Sequence, residues 1–402
     1  MRFRMIKKGL QFWLLLLSVC FSLLIAMREV IMENQKMNER SKESKISDYV
    51  CSGFVQRSKR LTWTSLMKPS PLNVSCEEYI TNSHFITETL SSEEEAYPLA
   101  FIITVHKEFD MFERVFRAIY APHNVYCIHI DEKASKAFKA AVETLINCFP
   151  NSFLASKMES VVYAGMSRLQ ADINCLKDLV SSGVQWKYVI NLCGQDFPLM
   201  TNLDMIRHLK SYKEKNLTPG ILPTQFKKQR IEFVHREYVD NNSSRIVKIT
   251  KTKSPPPHNI TTYSGSAYYA LTHEFATFVL QDKRATDLLE WSKDTYSPDE
   301  QYWVTLNRIP DAPNSMPNGR YEGKVRAIKW IDHKKQVCHG RFVRGVCVYG
   351  PGDLKWLFEN QHMFANKFEL KTYPPTVECL ELKLRERALN NSEVTPQPSW
   401  YF

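Results

Sequence analysis

Near-continuous apolar runs alternate with helix-spaced ones through the middle of the chain. LAFIITVH (99–106) reads as a strand buried on both faces. Asp110–Tyr120 follows, with Phe112, Val115, Phe116 and Ile119 at helical spacing, and Pro122 ends that helix. NVYCIHID (124–131) is the next buried strand, Ser135–Cys148 a helix and VVYAG (161–165) a short strand. Ser167–Leu179 aligns Leu169, Ile173, Leu176 and Leu179 on one helical face, and WKYVINLCG (186–194) is a fourth strand. SGSAYYALTHEFATFVL (264–280) reads as a strand followed by a helix. This alternation predicts an α/β fold with a mostly parallel, Rossmann-like sheet covered by helices. Such sheets bind ligands beyond the carboxyl ends of their strands, where His129–Asp131 and Cys193–Asp196 fall. The segment 219–262, rich in charge and carrying Pro255-Pro-Pro257, reads as an exposed irregular excursion at a rim.

The N-terminus follows another pattern. Residues 10–26 form one apolar run without a charge, at the lower limit for a membrane-spanning helix. Arg2, Arg4, Lys7 and Lys8 precede it and place the tail in the cytosol by the positive-inside rule. A cleaved signal peptide is the competing reading, but the run is long for one and Leu24–Ala26 is a poor cleavage site. The expected organisation is a cytoplasmic tail (1–9), a transmembrane signal-anchor (10–26), a polar stem (27–50) and a luminal domain (51–402).

That topology changes how composition is read. The net charge is +10, but four of the cations lie in the tail, and the rest are scattered, with Lys227, Lys228 and Arg230 the densest cluster. A nucleic-acid binder gathers basic residues on one face, so nucleic acid is excluded and a small anionic ligand fits better. Of ten cysteines, nine are luminal, which suggests four disulfides and one free thiol, with connectivity left open by spacing. A zinc site from His333, Cys338, His339 and Cys347 matches no standard spacing. Asn73, Asn216, Asn241, Asn242, Asn259 and Asn390 head N-glycosylation sequons, as a luminal domain permits.

Two stretches carry candidate chemistry. In Tyr296-Ser-Pro-Asp-Glu300, Ser297, Pro298 and Glu300 have the spacing of a helix capping box. The same Glu300 is a candidate general base for an attacking hydroxyl. The second stretch is 338–370, where Cys338 and Cys347 would staple a hairpin bearing Arg341 and Arg344, with Lys367 beyond it. Arg and Lys converging on a pocket suit a diphosphate; a solvated basic loop is the alternative. The sequence at the end of the second strand, His129-Ile-Asp131-Glu-Lys133, lacks the second aspartate of an Asp-x-Asp metal element, so if the ligand is a nucleotide sugar, cationic side chains would replace the metal.

RAIYAPHNVYCIHID (117–131), ESVVYAGMSRLQADINCLKDL (159–179), WKYVINLCGQDFPL (186–199), YSPDEQYWVTLNRIP (296–310) and the 343–369 stretch together resemble the core 2/I-branching β-1,6-N-acetylglucosaminyltransferases. The resemblance spans about residues 51–402; PSWYF at the end and the region 296–310 are most similar to the I-branching members. It implies a GT-A-type glycosyltransferase on the Golgi membrane, inverting and metal-independent, with UDP-N-acetylglucosamine as donor. It further implies Glu300 as the general base, Arg344 and Lys367 on the UDP diphosphate, Asp131, Tyr163 and Thr104 in the nucleotide pocket, and Trp330 as an acceptor platform. The implied disulfides are Cys51–Cys379, Cys76–Cys148, Cys127–Cys175 and Cys338–Cys347, with Cys193 free. Segment 214–245 lacks a clear counterpart of the acceptor-binding glutamate of core 2 members, which favours galactose of poly-N-acetyllactosamine and hence I branches. The alternatives are core 2 transfer to GalNAc of mucin-type O-glycans, protein xylosyl transfer, and a membrane-anchored lectin without turnover. A glycan acceptor on glycoproteins or glycolipids is the expected partner, and a homodimer is left open.

Overall fold

The computed structural model describes residues 27–28, 51, 53, 73–239, 243–333 and 336–402. The tail, the apolar run 10–26 and nearly all of the stem lie outside them, as do Asn241 and Asn242. No helix of the described residues is long and apolar enough to cross a membrane.

The central sheet contains β1 (Leu99–Val105), β2 (Val125–Ile130), β3 (Ser152–Leu154), β4 (Tyr188–Cys193) and β5 (Ala270–Thr272), in the order β5-β4-β1-β2-β3. β1 runs parallel to β2 and β4, and β2 parallel to β3; β5 is antiparallel to β4. The unbroken apolar character of β1 follows from its position. Phe101, Ile103 and Val105 pack into one core with α1 (Phe109–Ile119) and α2 (Lys136–Ile146). Ala100 and Ile102 pack into the other with α3 (Met166–Ser181), through Leu169, Ile173, Leu176 and Leu179. Period-two alternation thus feeds two layers, and both faces need apolar side chains.

Three readings of the sequence require correction. Residues 161–165 form no strand: Ala164 takes a positive φ of 62°, and the third sheet position goes to Ser152–Leu154 instead. The 219–262 excursion is ordered as a helix, Gln225–Glu232, and an antiparallel hairpin, Phe233–Val239 with Ser244–Thr252. Asn216, offered as a glycosylation acceptor, is fully buried. Its Nδ2 donates to the Pro313 carbonyl at 2.8 Å, and its Oδ1 accepts from the Thr272 N–H at 3.0 Å. A glycan has no access to that nitrogen in the folded protein, whereas Asn73, Asn259 and Asn390 are exposed.

Four disulfides join Cys51 to Cys379, Cys76 to Cys148, Cys127 to Cys175 and Cys338 to Cys347, and Cys193 is unpaired. The pairings are those the family resemblance implied. Cys127 on β2 and Cys175 on α3 pin the sheet to its covering helix. A second small sheet places Phe364–Asn366 antiparallel to Asp196–Pro198 and parallel to Arg326–Ala327. This register carries Lys367 to the end of β4, where the Phe368 N–H donates to the Gln195 carbonyl at 2.8 Å.

Candidate active site

The parallel register aligns three side chains at the carboxyl end of the sheet. Thr104 on β1 is the partner of His129 on one side and of Cys193 on the other. Thr104 Oγ1 and His129 Nδ1 are buried and have no hydrogen-bond partner. His129 Nε2 accepts the Glu159 N–H at 2.8 Å, so the ring's proton sits on the unpartnered Nδ1, and burial pushes its pKa down. A ligand with polar edges would satisfy both atoms. Just beyond β2, Asp131 accepts from the Lys133 ammonium at 2.9 and 3.0 Å and from its N–H at 2.9 Å, and Lys133 also donates to the Val161 carbonyl at 2.6 Å. Asp131 is therefore held in one orientation by a neighbouring cation.

The cationic side of the cleft is a stapled hairpin. Arg341–Val343 pairs with Val346–Val348, the Cys338–Cys347 disulfide closes it, and Arg344 and Gly345 form the turn at φ of 53° and 77°. The expected staple is present. Because both cysteines are consumed in it, the alternative zinc site is excluded, as is a metal on the Cys338, Cys347 and Asp353 cluster. From the turn, the Arg344 guanidinium stacks 4.4 Å from the Tyr163 ring centroid, and the Tyr163 side chain is exposed. Lys367 reaches the same hairpin, its ammonium donating to the Val343 carbonyl at 2.9 Å. Burial pushes the Lys367 pKa down, Glu369 opposes the shift, and the nearby Arg344 adds to it. A bound anion would restore the charge that burial disfavours. Trp330, also exposed, pairs by its backbone with Val346 behind the turn.

Glu300 lies within electrostatic reach of the same Tyr163, whose hydroxyl pKa is raised by the partial burial of its largely exposed side chain and by Tyr296, lowered by Arg344 and raised by Glu300 and Asp299. The capping box expected at Ser297 does not form. Ser297 has a positive φ of 47°, its N–H donates to the Ala164 carbonyl at 2.7 Å, and Pro298–Glu300 makes one 3₁₀ turn. The Glu300 carboxylate is thereby released from capping. It accepts from Arg230 Nη1 at 2.6 Å and remains one-third exposed. Arg230 also lies over Tyr296, 5.1 Å from its centroid. The geometry thus groups Glu300 with Arg230, Arg344 with Tyr163, Lys367 and Trp330, and Thr104 with the sheet end near Asp131.

The profile of the core-2/I-branching enzymes matches residues 99–358. The chain belongs to the core-2/I-branching enzyme family. Membership makes it a glycosyltransferase. A mouse N-acetyllactosaminide β-1,6-N-acetylglucosaminyl-transferase is 56% identical over 375 residues, 92% of each chain. The human protein of the same name is 61% identical over 330 residues, 82% of each chain. A human probable β-1,3-galactosyl-O-glycosyl-glycoprotein β-1,6-N-acetylglucosaminyltransferase 7 is 51% identical over 82% of this chain and 77% of its own.

Residues that sequence reasoning passed over complete the site. Arg230 entered the sequence reading only as part of a charge cluster; its partner, 70 positions away, is invisible to local spacing. Arg326 is buried 3.3 Å from Asp196 and stacks on Tyr268 at 4.2 Å, while Asp196 accepts from the Cys193 N–H at 2.7 Å and Asn366 Nδ2 at 2.9 Å. The ion pair ties the end of β4 to the strand Arg326–Ala327, and the Asn366 hydrogen bond ties it to the strand that delivers Lys367. The Cys193 thiol is raised to about 11, by burial first and then by Asp196, so it stays protonated and unreactive near neutral pH.

Proposed function

We propose that the chain is an inverting, metal-independent β-1,6-N-acetylglucosaminyltransferase of GT-A type, which adds I branches to poly-N-acetyllactosamine. The supporting observation is the 56% identity, along 92% of each chain, with a relative named as an N-acetyllactosaminide β-1,6-N-acetylglucosaminyl-transferase. Residues 10–26 would anchor it as a type II protein of the Golgi membrane.

The chemistry is a single displacement. Glu300 takes the proton of the acceptor galactose 6-hydroxyl as that oxygen bonds to C1 of N-acetylglucosamine, and the bond from C1 to the UDP β-phosphate oxygen breaks on the opposite face. Configuration inverts, and UDP leaves with the bonding pair. Arg344 and Lys367 offset the charge growing on the diphosphate, the service a divalent metal performs elsewhere. Thr104, Asp131 and Tyr163 position the nucleotide, and Trp330 offers its ring to the acceptor sugar.

The test is transfer from UDP-N-acetylglucosamine by the full-length protein in detergent with EDTA, to linear poly-N-acetyllactosamine and to a core 1 glycopeptide in parallel. A β-1,6 product on the lactosamine acceptor is expected, and Glu300→Gln should lower its rate by about 10²–10⁴-fold while UDP binding persists. Product on core 1 alone overturns the acceptor, dependence on Mn²⁺ overturns the cationic diphosphate site, and undiminished turnover by Glu300→Gln removes the base.

A further inference from the structure

A second cleft, of about 690 Å³, lies beside the base. It opens between the hairpin 233–252, the first turn of α3 and the segment 290–294. None of the residues assigned above to catalysis, UDP or Trp330's platform lines it, yet it shares a wall with them. His235, in its lining, packs 5.5 Å from the Tyr296 ring; Arg230 covers that same ring and holds Glu300. Its size is that of a ligand cleft, typically ~300–1,000 Å³.

The lining selects the chemistry of the ligand. Lys253 is paired with Asp294 and stacks on Trp291 at 4.3 Å. Lys293 pairs with Glu290 at 2.5 Å. Glu237 accepts both the N–H and the hydroxyl of Ser167 at 2.9 Å. The lining sets Glu159, Glu237, Glu290 and Asp294 against Arg236, Lys253 and Lys293, so the concentrated positive field that a nucleotide or phosphate needs is missing from it. Gln170 and Arg236 remain as polar groups beside the half-buried indole of Trp291, which Lys253 overlies. That combination suits an uncharged, hydroxyl-rich ring, whose C–H face lies on an indole while its hydroxyls find donors and acceptors.

We propose that this cleft is an extended acceptor subsite, holding neutral saccharide units that adjoin the galactose being branched. The proposal rests on the lactosamine reading of the acceptor and adds to it a reason for preferring a long linear chain over a disaccharide. The hairpin that walls the cleft is fixed for this purpose. Glu237 sits on the N-terminus of α3 over Gly165, where any Cβ would overlap its carboxylate, so the hairpin docks as a rigid side of the cleft.

The experiment compares kcat/KM of the full-length protein for a linear lactosamine hexasaccharide and for the disaccharide, in wild type, Arg236→Ala and Trp291→Ala. The hexasaccharide-to-disaccharide ratio does not depend on the fraction of protein that folds. It should exceed one in wild type and fall several-fold to about tenfold in both variants. A ratio unchanged by both substitutions overturns the subsite and leaves the acceptor reading standing. Absence of transfer to either acceptor by wild type, with transfer to a core 1 glycopeptide, overturns the acceptor reading and this subsite with it.

Discussion

Asp299 and Glu300 are adjacent carboxylates with opposite surroundings. Glu300 is partly exposed and held by Arg230; Asp299 is buried, with its Oδ1 lacking a partner. Burial pushes the Asp299 carboxyl up to about 7, with Arg168 opposing and the charges of Glu300 and Asp172 adding to the rise. Asp299 therefore keeps its proton where an ordinary aspartate has lost it. Its folded pKa lies above the unfolded one, so its contribution to stability is fully present below about pH 4 and is lost as pH rises through about 7. Asp299→Asn replaces the protonated acid with a neutral isostere. The variant should match wild type in thermal melts near pH 4 and exceed it at pH 8, by an order of 2–4 kcal/mol. A stability gap that does not widen with pH would refute the neutral-carboxyl assignment. The sequence made the Ser-Pro-Asp-Glu spacing legible, but not this division of labour. The capping geometry lost to one tertiary hydrogen bond, Ser297 N–H to the Ala164 carbonyl, and no local pattern encodes that contact.

At the scale of elements, what burial dictates was readable and what docking dictates was not. β1, β2 and β4 sit within a residue or two of the apolar runs because both faces of each strand meet a core. The hairpin 233–252 escaped notice because it is largely exposed and charged; its register comes from its own ladder and from docking on α3. The hairpin bearing Arg344 was legible through its two cysteines. Its two-residue turn places an arginine at positive φ, a conformation that asparagine and glycine adopt more readily, so the local backbone alone favours this shape weakly. The staple compensates. Replacing both Cys338 and Cys347 with alanine should raise KM for UDP-N-acetylglucosamine about 3–10-fold, since Arg344 loses its fixed mount, and raise KM for the acceptor less, through the Trp330–Val346 pairing. Equal effects on both substrates, or none on the donor, would show that the disulfide does not position Arg344.

Across the whole molecule, chemistry and stability are carried by different parts. The side chains proposed for donor and acceptor gather at the carboxyl end of the sheet and on the two hairpins, whereas the Cys51–Cys379 disulfide joins positions 328 apart and fixes residue 51 to the helix Pro374–Asn390. Nine cysteines beyond the N-terminal apolar run made four pairs legible as a number, but their connectivity required the family resemblance, because pairing is decided by where the chain returns in space and not by spacing. Both Cys51 and Cys379 are buried in the core that contains β1 and α1. A link closing so long a loop removes much of the unfolded chain's freedom, and in the chain-entropy account its loss costs about 6 kcal/mol. Cys51→Ala with Cys379→Ala should therefore lower Tm by roughly 6–10 °C. Neither residue touches the cleft side chains described above, so below the melting transition kcat and both KM values should stay at wild-type levels. A fall in kcat at temperatures where the double variant is fully folded would mean that this disulfide also shapes the site, and that scaffold and chemistry are not separate in this molecule.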